Sequence, residues 1–162
     1  MSTVALLRRA PPFEIEFNRA STAFCAVGEQ PALHLPIPWL GGSAVERVFA
    51  GAEPAGENRG FALSDSGGLL IGCAVQPVGS SIQCATRELY RRLFDVVRPR
   101  TLYRIWNYVP AINAVANGVE NYRAFCAGRA EVFEATHGAE FKRHLPAASA
   151  VGCGGDALAL VF

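Results

Sequence analysis

Residues 82 to 97 restrict the fold more than any other stretch. Ile82, Ala85, Leu89, Leu93 and Val97 recur at the spacing of one helical face, and Tyr90 and Phe94 widen it. Arg87, Glu88, Arg91, Arg92 and Asp95 take the opposite side. An amphipathic helix must lay such a stripe on another layer. Two apolar runs flank it, Leu69 to Val75 ended by Gln76-Pro77, and Thr101 to Val109 ended by Pro110. Both read as strands, buried and stopped by proline. Ser80, with Gln83 three residues on, reads as the helix cap.

The chain after residue 60 repeats this logic. Phe61-Ala62-Leu63 is a strand, and Asp65-Ser66-Gly67-Gly68 is a hairpin turn. A second helix is announced by Asn117 and Glu120, carries Val119, Tyr122, Phe125, Cys126 and Phe133, and ends at Gly138. Pro146 to Val151 and Ala157 to Phe162 are strands around the turn Gly152 to Gly155. The expected fold class is α+β, with two helices on one face of a four- to five-stranded mixed sheet over residues 60–162. Residues 1–59 read as an N-terminal β-containing extension. It holds a lead-in to Pro11-Pro12, strands at Phe13 to Phe17 and Thr22 to Val27, and a short strand from Val45 to Ala50. The proline-rich stretch Pro31 to Pro38 reads as a surface segment that cannot enter a central sheet. Gly51 to Gly60 reads as loop. A single helix layer leaves the other sheet face uncovered, which points to oligomerisation.

Composition excludes several functions. With 51% hydrophobic and 18% charged residues the chain has material for a core. A net charge of +1, scattered arginines and the single lysine Lys142 argue against nucleic-acid and membrane surfaces. No apolar run approaches the roughly 18 residues of a membrane helix. Cys25, Cys73, Cys84, Cys126 and Cys153 are odd in number and widely spaced, without Cys-x-x-Cys. Neither a disulfide framework nor a zinc site is indicated, and a cytoplasmic location is expected. His34, His137 and His144 lack metal-ligand spacing. Nucleotide-binding and Gly-x-Ser-x-Gly motifs are absent.

Short motifs point further. Gln83-x-x-x-Arg87, Tyr122-Arg123-Ala124-Phe125 and Pro146-Ala147-x-Ser149 resemble the YjgF/RidA family, which implies a chorismate-mutase-like fold assembled as trimers. In the deaminases of that family an arginine grips the substrate carboxylate where Ala148 stands here, and Leu160 replaces an expected glutamate. A methyl group cannot replace a bidentate guanidinium, so deamination is not expected. A longer set is Arg104-x-Trp106-Asn107-Tyr108-x-Pro110-x-Ile112-Asn113, Tyr122-x-x-Phe125-x-x-Gly128-Arg129 and Leu145-Pro146-Ala147-Ala148-Ser149-x-x-Gly152. It resembles the chorismatases, also described as pteridine-dependent dioxygenase-like. The resemblance implies hydrolysis of chorismate to a dihydroxycyclohexadiene carboxylate and pyruvate, or its rearrangement to hydroxybenzoates, with no metal or redox cofactor. It also implies two RidA-like domains, with the catalytic acid in the second, whereas this chain matches the first. The expectation is a chorismatase-like domain binding chorismate or a related carboxylated ring compound, as a homotrimer or beside a second RidA-like domain. The alternatives are a non-catalytic oligomerisation or ligand-sensing module, and a truncated or split gene product.

Chorismate is a dianion with an enolpyruvyl ether, so its site needs cations and an acid. The candidate cations are Arg104, Arg123, Arg129 and Arg143. Arg129 leads, because Gly128 lets backbone approach; its alternative is pairing with Glu131, Glu134 or a neighbouring subunit on a solvated helix face. Asn107, Tyr108 and Asn113 end an apolar strand. They either hydrogen-bond ligand hydroxyls or, for the two asparagines, tie down the Pro110 loop. Trp106 should face away from Asn107, into core or interface. The candidate ligand set is therefore Arg129, Tyr108, Asn107, Asn113 and Arg143. No catalytic acid is assigned, although Glu131 and His144 are in range of these arginines by sequence.

Overall fold

The computed structural model describes residues 13–27, 30–48 and 51–162. Strands β1 (Phe13–Glu16), β2 (Ala23–Val27), β3 (Gln30–His34) and β4 (Val45–Val48) form a first sheet in the order β2-β3-β1-β4. The chain continues through β5 (Glu53–Asn58), β6 (Phe61–Ser66), β7 (Leu69–Pro77), helix α1 (Ile82–Val97) and β8 (Arg104–Pro110). A small hairpin of β9 (Val115–Ala116) and β10 (Val119–Glu120) leads into helix α2 (Asn121–His137). A 3-10 segment (Gly138–His144), β11 (Ala147–Cys153) and β12 (Ala157–Val161) complete it. The main sheet is six-stranded, ordered β11-β8-β12-β7-β6-β5. Its β11 and β8 are parallel and its other neighbours antiparallel.

The helix stripe meets this sheet as its periodicity demands. Leu89, Tyr90 and Leu93 are fully buried among Phe61, Ile105, Leu158 and Leu160 of the sheet and Phe125 and Phe133 of α2. The cap of α1 is Ser81 rather than Ser80: the Cys84 amide donates to the Ser81 hydroxyl at 3.3 Å. Helix α2 begins later than its sequence signals suggest. Asn117 occupies the β9–β10 turn at φ 52°, and Glu120 precedes the helix without a side-chain cap bond. Val119 and Tyr122, expected on the buried stripe, are exposed because they lie before or at the first turn. Gly138 ends α2 at φ 69°, a conformation glycine adopts without strain.

Two expectations for the N-terminal half are overturned. Within Pro31 to Pro38, β3 is an internal strand, parallel to β1 and antiparallel to β2. Prolines are tolerated there because Pro31 falls near its start and Pro36 and Pro38 beyond its end. Within Gly51 to Gly60, β5 forms the edge of the main sheet, and its register shifts between Pro54 and Gly56. An edge strand accommodates both a proline and a bulge.

The sheet face away from the helices is not left bare. Phe13, Ile15, Leu33 and Leu35 of the first sheet segment pack on Cys73, Tyr108, Ala159 and Val161 of the main sheet. The lead-in to Pro11-Pro12 and the final residues of the expected Val45 to Ala50 strand lie outside the described residues. Among the described residues no helix is long and apolar enough to cross a membrane.

Candidate functional site

Strand β8 sorts its side chains by alternation. Ile105, Asn107 and Val109 face the helices and are buried, whereas Trp106 and Tyr108 belong to the opposite face. Because β12 runs antiparallel to both β7 and β8, with Val161 opposite Cys73 and Trp106, three strands share one end. At that end lies a cavity of about 490 Å³, walled by Leu69, Ile71, Leu102, Trp106 and Phe162 and bearing Arg100 and Arg104. Gly72 makes room for Phe162, whose ring a methyl group at that position would overlap. Gly72 and Phe162 also exchange two backbone hydrogen bonds, at 3.1 and 2.9 Å.

Arg104 is the polar feature of this cavity. Its guanidinium lies 5.2 Å from the Trp106 ring centroid. Its Nε is buried and has no hydrogen-bond partner among the described residues. A partly buried arginine with an unused donor, beside a second arginine and an aromatic wall, suits a carboxylate on a ring. Among the described residues no carboxylate side chain lines the cavity.

The five residues expected to bind ligand do not converge on one pocket. Asn107 is buried, accepts from the Tyr90 hydroxyl at 2.7 Å and donates to the Ser149 carbonyl at 2.8 Å. It joins β8 to α1 and β11. Burial pushes the Tyr90 phenol well up, while the Arg129 charge and the Asn107 bond act against this. Arg129 therefore stands near Tyr90 on the helix side, its guanidinium 5.1 Å from the Phe133 centroid. Its Nε, too, is buried without a partner among the described residues. Glu131 is held instead by Arg87, at 3.1 Å, and by Gln83. The bare face of Gly128 lies against the Gln83 carbonyl and Thr86. The close approach it allows is that of α1.

Tyr108 is on the opposite face, its phenol pushed up to about 12, chiefly by burial and then by Glu46. Asn113 is exposed in the loop after β8. That loop is tied down by Asn121, whose amide donates to the Ala111 carbonyl at 3.0 Å, not by Asn107 or Asn113. Arg143 is exposed and pairs with Glu140 at 2.9 Å. His144 stacks on His137, with centroids 4.4 Å apart. Arg104 was one of four candidate cations in the sequence, but Arg100, Leu102 and Phe162 were not candidates. The available signal was the Arg104-x-Trp106 spacing, which puts both on one strand face.

The fold is an α+β domain with two helices on a mixed sheet and an arginine-bearing cavity at one end of its strands. Residues 48–162 match the family described as chorismatase FkbO/Hyg5-like, N-terminal, and the chain belongs to that family. A chorismatase of Streptomyces rapamycinicus is 34% identical over 116 residues, covering 69% of this chain and 34% of that protein. A 3-hydroxybenzoate synthase of Streptomyces hygroscopicus is 36% identical over 154 residues, covering 84% of this chain and 43% of its own length. A chorismatase crystal structure superposes with a TM-score of 0.76 at 24% identity, over 99% of this chain and 50% of that one. The chain thus spans between about a third and a half of the proteins it matches.

Proposed function

We propose that the chain is the ligand-binding half of a chorismate-converting protein, seating chorismate or a related carboxylated ring compound in the cavity beside Arg104. Arg104 carries this reading: its guanidinium is fixed over Trp106, with a buried donor that no described residue satisfies. The ligand ring lies against Trp106, Leu102 and Phe162, and its carboxylates meet Arg104 and Arg100. The names of the relatives, chorismatase and 3-hydroxybenzoate synthase, support chorismate as the compound. With no carboxylic side chain on the cavity wall among the described residues, the proton for the enolpyruvyl ether comes from outside it. The chain alone then binds without turning over. On the same reading residues 60–162 form a cytoplasmic YjgF/RidA-type domain carrying residues 1–59 as an extension. It meets a second such domain, or two copies of itself, along the edge strand β11, where Val151 is exposed.

Chorismate added to labelled protein should shift the indole N–H resonance of Trp106 saturably and that of Trp39, which does not line the cavity, far less. Pyruvate should not exceed the protein-free control. An unmoved Trp106 signal would remove the binding site, and pyruvate release would overturn the separation of binding from catalysis.

A further inference from the structure

A second cleft, of about 520 Å³, lies between the first sheet and the helix-free face of the main sheet. Its walls are largely rings. Phe17 stacks on Trp39 with centroids 5.0 Å apart, and β8 contributes Trp106 and Tyr108. Among the described residues its one charged lining side chain is Glu46. Strand pairing puts Glu46 there. On β4 it stands opposite Ile15 of β1, and Ile15 is buried against the main sheet. Residues directly opposite in an antiparallel pair project to the same face. The carboxylate therefore lies on the main-sheet side of β4, at the solvent-open rim of the cleft, and its charge is felt at the Tyr108 phenol.

On the outer face of the same strand pair, Glu14 binds Arg47 at 2.8 Å. Glu46 forms no ion pair among the described residues. An inward charge on an edge strand can serve merely to discourage pairing with other chains. That role does not account for four aromatic rings around it. Ring faces and a single carboxylate attract a cation. The type of cation follows from hydrogen bonding. Guanidinium brings five N–H donors and a primary ammonium three. Besides Glu46 and the Tyr108 hydroxyl, the lining side chains offer no acceptor. Donors turned to the ring walls would give up water without gaining an acceptor, whereas an alkylated ammonium has few or none.

We propose that this cleft binds a small alkylated ammonium compound, with Glu46 as the counter-charge and Trp39, Trp106 and Tyr108 around the cationic head. Choline is the probe, and its uncharged tert-butyl analogue is the control. The two tryptophans of the chain give two indole resonances to follow. Choline should shift the Trp39 signal saturably, and the neutral analogue should bind at least about fivefold more weakly. The exposed Glu46→Gln substitution should weaken choline about tenfold while leaving the resonance spectrum of the fold intact. Trp39→Leu should weaken it too, read at Trp106. Equal binding of the neutral analogue would make the cleft an apolar groove only and overturn the proposal. So would an absent Trp39 shift, or a guanidinium compound binding as tightly as choline. Trp106 lines both sites, so the ring-carboxylate site is told apart by Arg104→Ala, which should leave choline binding unchanged because Arg104 and Arg100 do not line this cleft.

Discussion

Arg104, Trp106 and Asn107 lie within four consecutive positions of one strand and serve three different ends. Period-two alternation made the split between Trp106 and Asn107 legible in the sequence. The partners of Asn107 were not legible, because Tyr90 and Ser149 lie 17 and 42 residues away. Only the tertiary fold brings them into reach. Asn107→Ala would leave the buried Tyr90 hydroxyl and the Ser149 carbonyl without their shared partner. It should cost about 2–4 kcal/mol in urea unfolding. Tyr90→Phe removes one hydroxyl and should cost about 1–2 kcal/mol. A cost near zero for both would mean that this buried junction is not what holds β8 to α1 and β11.

Elements with a strong apolar period or run, α1 and the strands β6, β7, β8, β11 and β12, were legible in the sequence, whereas β3, β5 and the exact helix starts were not. The α1 stripe is set by spacing within one helix, and its apolar members are buried as expected. Strand β3 was missed because its two neighbours, β1 and β2, supply hydrogen bonds that composition cannot foretell. The cap of α1 offers a sharp test: Ser81→Ala should lower stability by about 1 kcal/mol, while Ser80→Ala should change it by less than about 0.5 kcal/mol. Gly128 tests the helix pair. Alanine is the better helix former by about 1 kcal/mol. Its methyl group, however, would press on the Gln83 carbonyl and come within 3.1 Å of the Thr86 Cβ. Overpacking of this kind costs about 1–3 kcal/mol, so Gly128→Ala should lower the melting temperature. A rise would show that α1 and α2 can separate without penalty.

At the scale of the molecule, four groups have pKa values that rise on folding: the first sheet covers Cys73, Tyr108 and Cys153, and the helices cover Tyr90. Burial pushes the Cys153 thiol up to about 11 from 9.0 and the Tyr108 phenol up to about 12 from 10.0. The Cys73 thiol and Tyr90 phenol also move up, again chiefly through burial. The folded state holds these protons more tightly than the unfolded chain. Their contribution is therefore complete below the ordinary value of 9.0 and is lost as pH rises through 9.0 and on to about 12. The urea midpoint should fall steadily across that alkaline window; a flat profile would mean that these groups are not sealed. The covering of the sheet's second face was not legible either, since it needs the register of two separate sheets. The cavity at the strand ends shares that origin: Arg100, Arg104 and Phe162 meet only once β7, β8 and β12 are aligned. The most direct test of what that cavity does is calorimetric titration of chorismate into the wild-type chain and the Arg104→Ala variant. The account predicts saturable binding weakened by tenfold or more in the variant, the loss expected for a charge-assisted contact of about 1.5–3 kcal/mol. Equal affinity in the two proteins, or no heat of binding in either, would contradict it.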